Sequence, residues 1–166
     1  MPADSPLSEI TLRKYEKGTV VSRRELIRKM CLSLGLVQAG DARDAVVDVF
    51  DVLLSAKKAL PSRHIMAQAA LLREKAGLST QGLTHANVCR MLRRLRQLYF
   101  VETNADAYRI TERERLATLF REQTIPFYIQ PLLDRITYVM EQVDALCNEK
   151  DAEVGKTHER SVEKKE

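Results

Sequence analysis

Between Thr84 and Leu98 the chain places four arginines, one histidine and one asparagine, and no carboxylate. The arginines are Arg90, Arg93, Arg94 and Arg96, set among Val88, Met91, Leu92, Leu95 and Leu98 at helical spacing. A guanidinium is a planar fork of N–H donors that keeps its charge, so such a face suits phosphates and other oxyanions. Two short β-prone runs come directly behind, Phe100-Val101-Glu102-Thr103 and Tyr108-Arg109-Ile110, around the turn formers Asn104-Ala105-Asp106-Ala107. A basic helix followed by a hairpin is the order in which a protein lays a helix in a DNA groove and steadies it with a small wing. The chemistry is recognition of a polyanion, with no bond made or broken.

Other chemistries find less support. His85 and Cys89 stand four residues apart and could bring two metal ligands together, but no second pair supplies the rest. Helix packing is the better reading, and no metal is expected. His64 and His158 have no partners visible in the sequence. There is no glycine-rich phosphate loop, no Ser–His–Asp arrangement with a recognisable elbow and no paired-carboxylate pattern. The expectation is therefore a protein that is not an enzyme and needs no cofactor. Cys31, Cys89 and Cys147 are widely separated, which fits free thiols in a reducing compartment.

Composition sets the outer bounds. The 166 residues are 45% hydrophobic and 30% charged, enough apolar material for one domain plus appendages. No apolar run approaches the roughly 20 residues that span a bilayer. The opening Met-Pro-Ala-Asp-Ser-Pro has neither the basic start nor the apolar stretch of a signal peptide. A cytoplasmic protein with no membrane partner is expected. The net charge of +4 is modest, but the local excess falls on the arginine-bearing helix.

The elements that must position that helix are legible from caps and periodicity. Residues 1–21 contain prolines and few apolar side chains and read as a flexible arm. Ser22-Arg23-Arg24-Glu25 is a capping box, followed by the stripe Leu26, Ile27, Met30, Cys31 and Leu34, with Gly35 or Gly40 to end it. Asp41 can cap a second helix whose Val46, Val49, Phe50, Leu53 and Leu54 share one face. Ala59-Leu60-Pro61 closes it. Ser62 can cap a third, through Ile65, Ala69 and Leu72 to Gly77. Thr84 starts the basic helix. Thr111-Glu112-Arg113-Glu114 is another capping box, opening a helix with Leu116, Leu119 and Phe120. Pro126 and Pro131 then interrupt the helical pattern.

From Leu132 the spacing becomes regular. Leu132, Ile136, Val139, Val143 and Leu146 lie 4, 3, 4 and 3 residues apart, an a/d seam over 126–150. It either packs within the chain or pairs two chains, and dimerisation is the favoured reading. The polar, mixed-charge residues 151–166 read as a disordered tail.

With these elements in order, the stretch from about Asp44 to Phe120 resembles a winged helix-turn-helix DNA-binding domain of the type found in MarR-like and PadR-like prokaryotic regulators. Three parts carry the resemblance. Asp48 to Leu60, with Pro61-Ser62-Arg63-His64-Ile65 behind it, looks like the opening helix and the start of the second. Asn87-Val88-Cys89-Arg90-Met91-Leu92-Arg93-Arg94-Leu95 looks like the recognition helix. Phe100-Val101-Glu102 and Tyr108-Arg109-Ile110-Thr111-Glu112 look like the wing and the helix start behind it. The match covers a little under half of the chain. Two features depart from it: the connector Gly77 to Leu83 is longer than the usual tight turn, and the hairpin turn is short.

The resemblance implies a mainly α fold with a small β-hairpin wing, a winged helix-turn-helix core over 22–125 with flanking N- and C-terminal helices. It implies a homodimeric transcriptional regulator, bacterial or archaeal, that binds double-stranded DNA in a sequence-specific manner. The recognition helix, about 84–98, would lie in the major groove and the wing, about 100–110, on the backbone or minor groove. Asn87 would pair with adenine and Arg90 with guanine. Arg93, Arg94, Arg96 and Arg109 would meet phosphates, with Thr84 and His85 at the helix start. Leu132, Ile136, Val139, Val143 and Leu146 would form the dimer surface. The alternative is a winged helix used as a protein-interaction or architectural module in a replication, segregation or transcription assembly.

Overall fold

The computed structural model describes residues 9–15, 22–37 and 44–162, with side chains to 148. Its helices are α1 (Arg23–Ser33), α2 (Ala45–Ser55), α3 (Ser62–Lys75), α4 (His85–Gln97), α5 (Leu116–Leu119) and α6 (Gln130–Val162). Three short strands, β1 (Leu60–Pro61), β2 (Val101–Asn104) and β3 (Ala107–Ile110), form an antiparallel sheet in the order β1-β3-β2. The protein is thus mainly α with one small sheet. The chain divides into two compact units between Tyr128 and Ile129.

The first unit is built around α2. The sequence pattern predicts one buried face, but Val46, Val47, Val49, Phe50, Val52 and Leu53 are all 5% exposed or less. A helix with buried apolar residues on most of its circumference belongs in the middle of a core, and α1, α3, α4 and β3 surround this one. Phe50 packs on Phe100, 5.9 Å between centroids, and Phe100 stacks on Phe120 at 6.5 Å. This aromatic row fixes the start of β2 against the core.

Polar residues are buried with the apolar ones. Arg73 of α3 is 1% exposed and Asp48 of α2 2%. Arg73 donates to Asp44 at 2.9 Å, to Asp48 at 2.6 Å and to the Ser79 carbonyl at 2.6 Å. Arg24 of α1 donates to both carboxylates from the other side, at 2.9 and 3.0 Å. One charge network therefore ties α1, α2 and α3 together, and nothing in the apolar periodicity announces it.

Several caps differ from expectation for identifiable reasons. Ser22 accepts from the Glu25 N–H at 3.2 Å, but the Glu25 carboxylate pairs with Lys29 instead of reaching back. Asp41 lies outside the described residues, and Asp44 holds the N-cap of α2 with its carboxylate committed to arginines. Pro61, with extended backbone, occupies the N-cap position of α3; Ser62 is the first helical residue, and its hydroxyl lies within hydrogen-bond reach of His85. Thr111 does not cap a helix. Its hydroxyl donates to the Tyr99 carbonyl at 2.8 Å, Thr111–Arg113 form a 3-10 turn, and α5 begins only at Leu116.

The prolines also act differently. Phe120–Ile129 is wound as a π-helix that contains Pro126, and α6 follows it directly with Pro131 as its second residue, so neither proline ends the winding. Buried Thr124, within this segment, donates to the Leu98 carbonyl at 2.6 Å.

Of the expected N-terminal arm, the structure describes residues 9–15. Over 9–15, Ile10 packs on the core, the Arg13 N–H donates to Ser33 and its guanidinium to the Val37 carbonyl, and the Glu9 carbonyl accepts from Tyr128. Gly35 makes this docking feasible. It ends α1 at φ +65, and a Cβ there would stand 2.6 Å from the Thr11 carbonyl oxygen. Gly35→Ala is expected to cost about 1–2 kcal/mol for the left-handed backbone alone, with more for displacing the segment. Thermal melting checks this, and an unchanged midpoint would mean that the segment yields freely.

The hairpin offers the converse. Its register, Asn104 opposite Ala107, leaves Ala105 and Asp106 as a two-residue turn, both at positive φ (46 and 64). That is the twist-matched turn in which glycine or asparagine is favoured. Ala105→Gly should raise stability by a few tenths to about 1 kcal/mol, read as a higher urea midpoint.

The second unit is α6. Its backbone runs helical to Val162, past the Lys150 boundary that composition predicts. Leu132 is half-buried, while Ile136, Val139, Val143 and Leu146 are 46–60% exposed. No helix among the described residues is long and apolar enough to cross a membrane.

Candidate nucleic-acid interface

Helix α4 owes its start to Thr84, whose backbone is extended and whose hydroxyl accepts the Asn87 N–H at 3.3 Å. No acid stands in its first turn, so the positive end of the helix dipole is uncompensated by its own side chains. Its end is a left-handed cap at Tyr99, φ 64, with the Phe100 N–H returning to Leu95 and that of Tyr99 to Arg96. Val88, Leu92 and Leu95 are fully buried, as the pattern predicts. The remaining faces carry the sites of interest.

Arg90, Arg93 and Arg96 are exposed, and among the described residues none of them meets a carboxylate within ion-pairing distance. They are cations on a rigid support of about 20 Å. Arg94 is exposed too, but its Nη2 donates to the Gly35 carbonyl at 3.0 Å, which aims the guanidinium toward the end of α1. Sequence spacing puts Asn87, Arg90 and Arg94 together on the outer face. The structure centres the solvated face on Arg90 and Arg93 and turns Asn87 and Arg94 toward neighbouring backbone.

Asn87 donates its amide to the Gly82 carbonyl at 3.0 Å, so that side chain pins the connector from α3. His85 lies 2.9 Å from the Ser62 hydroxyl and 3.6 Å from the Cys89 sulfur. It joins the starts of α3 and α4 and brings exposed Arg63 and His64 to the same end. Among the described residues no group of three or more metal-binding side chains converges. Arg109 on β3 sits directly across from Glu102 on β2 and forms an ion pair with it, so its charge is locally balanced. A crevice of about 490 Å³ between α4 and β2 is lined by Arg93, Arg96, Thr103 and Thr111 and also by Glu102.

Helical spacing assigns Arg96 only a phosphate role, although it is legible as the fourth arginine of a helix without acids. Ser62 and Gly35 read locally as a cap and a helix stop. Their bonds to His85 and Arg94 are long-range contacts that spacing does not encode. The Glu102–Arg109 pair becomes readable once the turn is known to hold two residues, since that register sets the two opposite each other.

The cysteines divide by environment. Cys31 is fully buried, and burial, helped by nearby Asp44 and Asp48, pushes its thiol up to about 12. Since the thiolate is the reactive form, Cys31 should resist a thiol reagent at pH 8 in the folded protein while exposed Cys147 reacts at once. Counting reactive thiols with and without urea checks this.

No protein-family model, curated protein or solved structure matches the chain.

Proposed function

We propose that this chain is a winged-helix protein that binds double-stranded DNA as a homodimer and regulates transcription. In this reading α4 enters the major groove, the β2–β3 hairpin is the wing, and the protein performs no catalysis. The observation that carries it is the set of exposed arginines, Arg90, Arg93 and Arg96, unpaired among the described residues and next to a hairpin. The element order supports it as well: a helix, a short strand, two helices and a hairpin, with the short strand pairing with the second hairpin strand.

Arg90 is placed for base edges, since the first half of a recognition helix points most directly at them. Arg93 and Arg96 suit phosphates. Asn87 reaches a base only by giving up its bond to Gly82, and Arg109 reaches a phosphate only in competition with Glu102. The exposed α6 stripe of Ile136, Val139, Val143 and Leu146 is the proposed seam between two copies. Reading two adjacent major grooves requires the paired α4 helices to stand about 34 Å apart, one turn of DNA.

A mobility-shift titration of the full chain with mixed genomic fragments tests the proposal. A shift at low salt that weakens steeply as salt rises is the expected result. No shift at low salt would remove DNA as the partner and favour a winged helix that binds an acidic protein.

A further inference from the structure

The duplex reading of α4 leaves one aromatic pair unused, beside the crevice between α4 and β2. We propose that this place binds single-stranded nucleic acid, with an unpaired base stacked on Phe127 and Tyr99 and the adjoining phosphates held by Arg93 and Arg96.

Phe127 is 63% exposed, a large apolar ring in water on the π-wound segment. Its contact with the Tyr99 ring, 6.0 Å between centroids and tilted by 46°, leaves most of it uncovered. Tyr99 lines the crevice and sits at φ 64, where glycine or asparagine would be less strained. Backbone strain of this kind collects at functional sites. The two rings are mounted on one joint. Thr124, three residues before Phe127, donates to the carbonyl of Leu98, the residue before Tyr99, and the Thr111 hydroxyl donates to the Tyr99 carbonyl. The stacking surface is therefore preformed and needs little ordering when it binds.

The crevice supplies the polar chemistry. Arg93 and Arg96 line it, and neither meets a carboxylate among the described residues. Glu102 lines it too, but Arg109 across the sheet matches that charge. The Gln97 and Gln123 amides form no side-chain hydrogen bond among the described residues, so each can donate and accept at a base edge. The volume of about 490 Å³ is that of an ordinary small-ligand site, room enough for one nucleotide.

Rings and cations together select the partner. A duplex offers phosphates but keeps its base faces stacked inside the helix. An acidic peptide pairs with the arginines and leaves the rings wet. A neutral apolar molecule covers the rings and strips water from guanidiniums that it cannot pair. A single strand brings a charge at every residue and a π-face on every base.

The site goes beyond the duplex reading. It shares Arg93 and Arg96 with that reading, but the rings belong to the single-strand site alone.

The test is fluorescence anisotropy of the full chain at low salt with three labelled probes: a twelve-residue oligothymidylate, an abasic chain with the same phosphates, and a duplex. The oligothymidylate should bind about tenfold more tightly than the abasic chain, since only it has bases to stack. Phe127→Ala should weaken the oligothymidylate about tenfold and leave the abasic chain and the duplex within twofold. Phe127→Trp should keep the affinity. As the chain has no tryptophan of its own, the emission of that variant reports the site directly, and the oligothymidylate should quench it while the abasic chain does not. Circular dichroism melts confirm that the variants are folded. Equal binding of the two single chains, full oligothymidylate affinity in a folded Phe127→Ala protein, no quenching in Phe127→Trp, or no binding of the oligothymidylate overturns the proposal. So does a Phe127→Ala protein that keeps the oligothymidylate but changes its association state, which would give the rings to a second copy. Failure of the duplex probe alone removes the duplex reading and leaves the single-strand result standing.

Discussion

Replacing Arg73 with alanine is expected to destabilise the protein by about 3–5 kcal/mol, a large fraction of the stability of a domain this size. The guanidinium is 1% exposed and serves Asp44, Asp48 and the Ser79 carbonyl at once. Its removal leaves two carboxylates facing a cavity, one of them 2% exposed. Arg24 still reaches both, which favours the lower end of the range. Urea unfolding followed by circular dichroism measures the effect. A loss under about 1 kcal/mol would mean that Arg24 satisfies the pair unaided. Arg73→Met combined with Asp48→Leu should cost less than the sum of the single changes, because each partner is expensive mainly when left alone.

The same network sets the response to acid. Burial works to raise the Asp44 carboxyl, but hydrogen bonds from Arg73 and Arg24 outweigh it and leave the group below its ordinary 3.8. The unfolded chain therefore takes up that proton more readily than the folded one. The stabilisation is fully present above the ordinary value and is lost as pH falls through the folded value. Hydrogen bonding to Asp48 leads the causes that hold the Arg24 guanidinium charged throughout. Asp44→Asn should lower stability at neutral pH and flatten its decline below pH 3.8.

If α4 binds DNA as proposed, removing Arg90 and Arg93 together should weaken that binding by about a hundredfold or more. Charge-assisted hydrogen bonds contribute about 1.5–3 kcal/mol each, and about 1.4 kcal/mol is a factor of ten. If both arginines meet phosphates, the slope of log affinity against log salt should also become shallower by about 2. A smaller change in slope, with relaxed sequence preference, would place Arg90 on a base. Arg109→Ala is the contrasting variant. Glu102 already balances that guanidinium, so the loss should be a few-fold at most. Fluorescence anisotropy at several salt concentrations separates these outcomes. A double variant with unchanged affinity and slope would take α4 out of the interface.

Local signals carry far in this chain. Thr84, the arginine spacing and the apolar repeat of α4 set that helix and its buried face without reference to any distant contact. The same holds for the hairpin, whose turn formers fall within two residues of the observed bend. Failures cluster where a residue has two employers. Ser62 and Thr111 carry good capping chemistry, yet their hydroxyls go to His85 and to the Tyr99 carbonyl. A propensity counts local partners alone, and a distant partner can outbid them. The two-residue strand β1, with a proline in it, has no periodicity to read.

The sequence by itself determined a helical chain with a basic helix ahead of a hairpin, because caps, period and charge act within a few residues of one another. Tertiary structure decided which arginines of that helix remain available. Arg94 bends to Gly35, 59 positions away in sequence, and Arg109 is neutralised across the sheet, while Arg90 and Arg93 stay in solvent. It also decided that Arg73, one charged residue among many, is the buried centre of three helices. Charge can be counted along a chain, but its availability depends on which groups folding brings within hydrogen-bond reach.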